Sequence, residues 1–352
     1  MPEKNVVVIG GGVGTDITLA GLKHYTSKLT ALVSTFDASS RIGGGNGASP
    51  GDNVSNHDHS VDDVRSSLLA LSNDTPTTNI MKSLFAYQFN QQAEHGGHNF
   101  GNLFMSALTE ITGSTDLALQ AAARMLNIQG QVLPMTLTPC PLVAHLSNGT
   151  TVTVDTPADL MAVAAASGLR YVSLAQRVPA LDAALQAIQD ADIIVFGPTD
   201  FYFNLMAPMQ LEGFAEALAA SRAIKVFVCN ILTQPNTTDN WPASRYIGVV
   251  LDALGGPRSL DYAIINSTSF ALNALTIKAA QGHFPVQLDL EACLSLGVNV
   301  IVRPVASAEF LHHDPEKLVR TILFLGGSRS ARRPDKRNVF PAEQLSTTQA
   351  VG

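Results

Sequence analysis

Short β-branched apolar runs alternate along this chain with longer stretches in which apolar residues recur every three to four positions. The short runs suit strands and the 3.6-residue repeat suits amphipathic helices, so the alternation predicts βαβ units and a mostly parallel sheet. Strands are expected at 6–10 (VVVIG), 30–35 (TALVST), 191–197 (ADIIVFG), 225–230 (KVFVCN), 262–266 (YAIIN) and 298–302 (VNVIV). Most are apolar on both faces, as a sheet covered by helices on both sides requires. Helices are expected at 15–24, 61–72, 101–111, 115–127, 180–189, 205–220, 243–254 and 314–325. LVAHLSNGTTVTV (142–154) departs from the alternation: two β-like runs flank Asn148-Gly149, a strong hairpin signal, and predict a small antiparallel excursion. Residues 326–352 have no apolar period and cluster Arg329, Arg332, Arg333, Lys336 and Arg337. They read as a disordered basic tail after a single α/β domain spanning 1–325.

Composition narrows the function classes. Charged residues make up 14% of the 352 and hydrophobic ones 46%, against a usual charged fraction of roughly 25%. Much of the chain must therefore be buried, in a core or in a subunit interface, and a homo-oligomer is expected. A formal net charge of −7 offers a polyanion no general attraction and excludes nucleic acid as the expected partner. Apolar runs such as 193–196 fall far short of the roughly 20 residues that span a bilayer, so no membrane is expected. Cys140, Cys229 and Cys293 are widely spaced and form no C-x-x-C pair. Together with an opening MPEKNVVVIG that lacks a signal-peptide pattern, they predict a reduced, cytoplasmic protein.

In a parallel sheet the strand C-termini and the helix N-termini behind them share one edge, and bare backbone N–H groups make that edge an anion site. VVVIGGGVGTD (6–16) lies there. Counted against G-x-G-x-x-G, Gly10 and Gly12 match and Thr15 replaces the third glycine, so the loop could hold NAD, another phosphate-bearing ligand, or nothing. Asp37 follows the second strand near the position of a ribose-binding acid. Polar turns at GPTDFYFN (197–204) and CNILTQPNTTDNW (229–241) fall on the same predicted edge. EHGGHNFGNLFMSALTEITG (94–113) places His98 and Asn102 with several glycines at the mouth of an apolar helix, where they offer neutral hydrogen bonds. In the loop 40–63, His57, His59, Asp52, Asp58, Asp62 and Asp63 allow either an oxygen and nitrogen metal site or a solvated loop, and no metal site is assigned. No G-x-S-x-G elbow, P-loop lysine or H-E-x-x-H helix supplies a nucleophile or metal motif.

With these motifs the chain resembles the family joining the gluconeogenesis-factor proteins (YvcK-like) to the 2-phospho-L-lactate transferases (CofD-like). The resemblance runs from about residue 5 to 325. It rests on 6–35, DDVRSSLLALS, GGHNFGNLFMSALTEITG, LNIQGQVLPMT, ADIIVFGPTDFY, VCNILTQPNTTD and HHDPEKL. GHNFGNLFMSALTEITG and CNILTQPNTTD look nearer the gluconeogenesis-factor branch. The resemblance implies a Rossmann-like doubly wound sheet, and a ligand of the UDP-N-acetylglucosamine type in a regulator of carbon metabolism and the cell wall. The CofD-like alternative is a transferase moving a phospholactate-type group to a deazaflavin acceptor with Mg²⁺; no other cofactor is implied. Ligand-facing positions carried over by motif are Gly11, Gly12, Val13, Gly14, Asp37, His98, Asn102, Gly197, Pro198, Asn230, Thr233 and Gln234. The chain also departs from the family pattern. Ala38 stands where a second aspartate is usual, GPTDFYFN replaces G-P-G-S-L-Y-T-S, and Asp62-Asp63 replaces Gly-Asp.

Overall fold

The computed structural model describes residues 3–36, 63–89, 99–307 and 311–327. Its elements in chain order are β1 (Val6–Gly10), α1 (Gly12–Leu22), β2 (Leu29–Val33), α2 (Asp63–Leu71), α3 (Pro76–Ala86), α4 (Phe100–Thr112), α5 (Thr115–Met125) and β3 (Gln131–Pro134). They continue with β4 (Leu142–Leu146), β5 (Thr151–Val154), α6 (Pro157–Ser167), β6 (Leu169–Leu174), α7 (Asp182–Asp190), β7 (Ile193–Phe196), α8 (Phe214–Ala220) and β8 (Ile224–Val228). The last are α9 (Ala243–Ala253), β9 (Tyr262–Asn266), α10 (Leu272–Ala280), α11 (Leu290–Ser295), β10 (Asn299–Arg303) and α12 (Pro315–Gly327).

Seven strands form one parallel sheet in the order β10-β9-β8-β7-β1-β2-β3, and β5-β4-β6 form a second, antiparallel sheet. The main sheet is doubly wound. From β1 the chain first builds outward through β2 to β3, then returns to the other side of β1 with β7 and builds outward to β10. Every position of β1 is buried. Its pleat sends Val7 and Ile9 into one core and Val6 and Val8 into the other. The Val7 core is closed by α7, α8, α9 and the small sheet, and the Val6 core by α1, α2, α4, α5 and α12.

Several expected elements are corrected. The helix expected at 15–24 starts at Gly12, one turn earlier. The helix expected over 205–220 is broken into an irregular wide turn at Tyr202–Met206, a tight turn at Pro208–Gln210, and α8. Pro208 cannot donate into a continuing ladder, and Gly213 sits at φ 83°, outside helical space. The hairpin at 142–154 forms as expected, and β6 joins it on the far side of β4. The helix expected to stop at 325 runs to Gly327, with Gly326 buried and a Cβ built on it only 2.2 Å from Ile193 Cδ1. The remainder of the expected tail, 328–352, lies outside the described residues.

Candidate functional site

Strand order reverses between β1 and β7, so the chain leaves these two strands toward opposite faces of the sheet, and the C-terminal ends of strands at such a switch point are where open α/β sheets form a ligand crevice. β1 passes through Gly11 directly into the first turn of α1, Gly12 to Thr15, and the loop after β7 runs from Gly197 to Asn204. Gly12 has φ 70°, a left-handed conformation that suits glycine, and it starts α1. No side chain caps α1, and its first turn carries no acid. The N–H groups of Gly12, Val13 and Gly14 have no acceptor inside the helix, and Val13 is 64% exposed.

The two loops are stitched together. Gly11 N donates to Thr15 Oγ1 at 2.9 Å and to Thr199 Oγ1 at 3.1 Å, while Thr199 Oγ1 donates to Gly11 O at 2.8 Å. Thr15 Oγ1 donates to Pro198 O at 3.2 Å. A Cβ on Gly14 would lie 2.5 Å from Pro198 O, so glycine is what lets the second loop close over the first.

A second helix N-terminus opens on the same edge. α2 runs beside α1 in the same direction: Asp63 lies against Gly11 and Gly12, Ser67 Oγ donates to Asp16 Oδ1 at 3.1 Å, and Lys23 Nζ donates to Ser72 O at 2.6 Å. Asp63, the first residue of α2, is buried, and its Oδ2 accepts from Asn204 Nδ2 at 2.7 Å. Burial in the α1/α2 seam pushes the Asp16 carboxyl up to about 7, against the opposing pull of hydrogen bonds from Ser66 and Ser67 and the charge of Arg65. Two helix N-termini and the Asp63 carboxylate thus meet at this edge, with Asp16 buried one turn below in the α1/α2 seam.

The loop after β8 supports the loop after β7. Asn230 brackets Thr199, accepting from its N at 3.3 Å and donating to its O at 2.9 Å. Gln234 accepts from Phe201 N at 3.2 Å and donates to Asp200 Oδ2 at 2.5 Å. Asp200 Oδ1 in turn accepts from Tyr202 N and Phe203 N at 3.0 and 2.7 Å, fixing the wide turn. Thr233 is buried and pairs with Phe284, its N donating to the carbonyl at 2.7 Å and its Oγ1 accepting from Phe284 N at 3.1 Å.

The structure therefore brings Gly11, Gly12, Val13, Gly14, Gly197 and Pro198 together at one crevice. Asn230 and Gln234 stand directly behind it, and Thr233 is tied to the chain near Phe284. Asn102 is exposed on the first turn of α4, next to Gly101, whose missing Cβ makes room for Arg65 Cδ of α2. Asp37 and His98 lie outside the described residues, as do His57, His59, Asp52, Asp58 and Asp62. Among the described residues no group of three His, Cys, Asp or Glu side chains is placed to hold a metal ion. Sequence reasoning did not single out Asp16, Thr199 or Asn204; it met Thr15 only as the residue in place of a third glycine, and Asp63 as one acid of a loop and as part of the Asp62-Asp63 pair that replaces Gly-Asp. The signal available for Asn204 was its place in GPTDFYFN, where the chain leaves the family pattern.

A doubly wound α/β fold with a glycine loop at its switch point defines a Rossmann-like protein. The family profile described as "2-phospho-L-lactate transferase CofD" matches residues 6–306, and the chain belongs to this CofD family. It is 32% identical over 336 residues to a putative gluconeogenesis factor of Nostoc sp., covering 93% of this chain and 70% of that one. It is 33% identical over 326 residues to a putative gluconeogenesis factor of Thermoanaerobacterium thermosulfurigenes, covering 91% and 96%. The crystal structure of a UPF0052 family member from Bacillus halodurans superposes with a TM-score of 0.79 at 30% identity, covering 92% of this chain and 99% of that one.

Proposed function

We propose that the protein is a metabolite-binding regulator that takes a UDP-sugar of the UDP-N-acetylglucosamine type, or a related nucleotide, at the β1/β7 crevice. One observation carries the reading: the uncapped N-terminus of α1 sits where strand order reverses, held against Pro198 and Thr199. A diphosphate there would accept from Gly12, Val13 and Gly14 and gain from the dipole of α1, with α2 adding its own. The gluconeogenesis-factor relatives support a place in carbon metabolism, and the link to the cell wall rests on the family resemblance. On this reading the protein works in the cytoplasm as a homo-oligomer, without nucleic acid or membrane. Its three cysteines are free and buried, its charge is negative, and no helix among the described residues is long and apolar enough to cross a membrane.

A second reading is favoured by Asp63. A carboxylate against Gly11 and Gly12 opposes a diphosphate unless a cation stands between them, and Mg²⁺ held by Asp63 and phosphate oxygens would supply that charge. That is the transferase alternative, with a deazaflavin acceptor. Calorimetric titration with UDP-N-acetylglucosamine in EDTA and in Mg²⁺ tests both. Binding in either buffer that disappears in Gly12→Val supports the crevice. No heat with any nucleotide-sugar or dinucleotide at millimolar concentration ends the binding hypothesis, and turnover of a deazaflavin acceptor replaces the regulator with the transferase.

A further inference from the structure

Among the described residues, the Asn204 side chain carries an acceptor with nothing to accept. Its side chain is buried at 6% exposure on the wide turn that leaves the β7 loop, and its Nδ2 is committed to Asp63 Oδ2 at 2.7 Å. That contact fixes which way the amide points, because turning it over would press Oδ1 against a carboxylate oxygen. Held this way, Oδ1 is buried and has no hydrogen-bond partner among the described residues, although buried acceptors are ordinarily satisfied. The same side chain touches the glycine loop: a Cβ on Gly11 would fall 2.7 Å from Asn204 Nδ2 and 2.3 Å from Asp63 Oδ2.

Resting on the nucleotide-binding reading above, we infer that Asn204 is a specificity-determining residue whose Oδ1 accepts a hydrogen bond from a ribose or sugar hydroxyl of the bound ligand. A phosphate oxygen cannot satisfy Oδ1, since both are acceptors. A carbon-bound hydroxyl on the ribose or sugar esterified to the phosphate seated on α1 can. The crevice then reads two things at once: an anion through the N–H groups of Gly12, Val13 and Gly14, and a neutral donor through Asn204. Asp63 is a positioning residue that holds the amide in register. The ligand class is a phosphorylated sugar or nucleotide-sugar, and inorganic pyrophosphate satisfies only half of the site.

Calorimetry in EDTA with two probes, UDP-N-acetylglucosamine and inorganic pyrophosphate, separates these contributions. Asn204→Ala is expected to weaken UDP-N-acetylglucosamine at least tenfold while changing pyrophosphate less than twofold. A set of monodeoxy analogues of the nucleotide-sugar should contain one that binds wild-type protein about tenfold more weakly, and Asn204→Ala should erase that penalty. If Asn204→Ala does not remain folded by circular dichroism, Asn204→Ser, whose shorter hydroxyl can still donate to Asp63, carries the same comparison. Equal weakening of both probes, no change in either, or a loss seen only with added Mg²⁺ overturns the role of Asn204 and leaves the nucleotide site standing. Wild-type protein that binds neither probe overturns the nucleotide site itself, and the role of Asn204 with it.

Discussion

Replacing Asp16 by asparagine should make the protein more stable above neutral pH and leave it nearly unchanged in acid. Asp16 sits one turn below Gly12 on the α2-facing side of α1, and burial lifts its carboxyl from 3.8 to about 7. A carboxyl raised in this way binds more protons folded than unfolded between those two values. Its contribution is therefore fully present below about pH 4, is lost as pH rises toward 7, and is constant beyond. Each unit corresponds to about 1.36 kcal/mol. The full shift would amount to about 4 kcal/mol, and because Asp16 keeps some solvent contact we take roughly 2 to 4 kcal/mol as the cost of ionising it in the fold. Asparagine has no charge to bury and keeps an oxygen for Ser67. Urea unfolding at pH 4.5 and pH 8 reads the difference: the variant should match wild type within about 1 kcal/mol in acid and exceed it by roughly 2 to 4 kcal/mol at pH 8. An equal difference at both pH values, or a variant weaker than wild type at pH 8, would refute the burial argument.

His313 should behave with the opposite sign. It is buried, its Nε2 lacks a partner among the described residues, and burial lowers it from 6.5 to about 3. Its contribution is present above pH 6.5 and lost as pH falls toward 3, so His313→Gln should flatten the acid limb of a stability profile by roughly 2 to 3 kcal/mol between pH 6.5 and 4.5. In wild-type protein the two residues offset one another across the range they share, and the single variants unmask each slope. Gly14→Ala drives a methyl to 2.5 Å from Pro198 O, which should separate the two loops, destabilise by about 1 to 3 kcal/mol and weaken nucleotide binding more than tenfold; calorimetry showing unchanged affinity counts against the clamp. Truncation after Gly327 should leave the melting temperature within about 1 °C. Truncation after Leu325 removes Gly326 from against Ile193 and should lower it by about 2 to 3 °C, roughly 1 to 2 kcal/mol for a chain of this size.

The sheet was legible because its strands are buried on both faces, and β1, β2, β7, β8, β9 and β10 all lie within two residues of the apolar runs that predict them. β3 was not, since Gln131 is exposed and Pro134 closes a strand of only four residues at the sheet edge. β6 exposes both Arg170 and Tyr171 and fully buries only Val172, so it has neither an apolar run nor a clean alternation, and it is marked by no turn as clear as Asn148-Gly149. Two unread helices carried readable starts: Thr75 and Thr156 each form a capping box followed by proline at the first turn. The site divides in the same way. Local signals found the glycine loop and the Gly197-Pro198 turn. Asn230, Thr233 and Gln234 were found by family pattern; the structure has Asn230 and Gln234 bracing the β7 loop through Thr199 and Asp200, and Thr233 bonded to Phe284. The Asp63–Asn204 bond joins residues 141 positions apart. No periodicity or local motif records such a pairing, which exists only once α2 lies beside α1 and β7 beside β1.

On the reading proposed above, the N-terminus of α1 at the β1/β7 crevice is an anion site for a nucleotide-sugar. A crystal structure of the protein grown with UDP-N-acetylglucosamine tests it most directly. Diphosphate oxygens are expected about 2.7 to 3.2 Å from the backbone nitrogens of Gly12, Val13 or Gly14, with the loops of Gly11 and Thr199 still joined. A nucleotide-sugar seated elsewhere on the molecule, with those three N–H groups facing water, would contradict it.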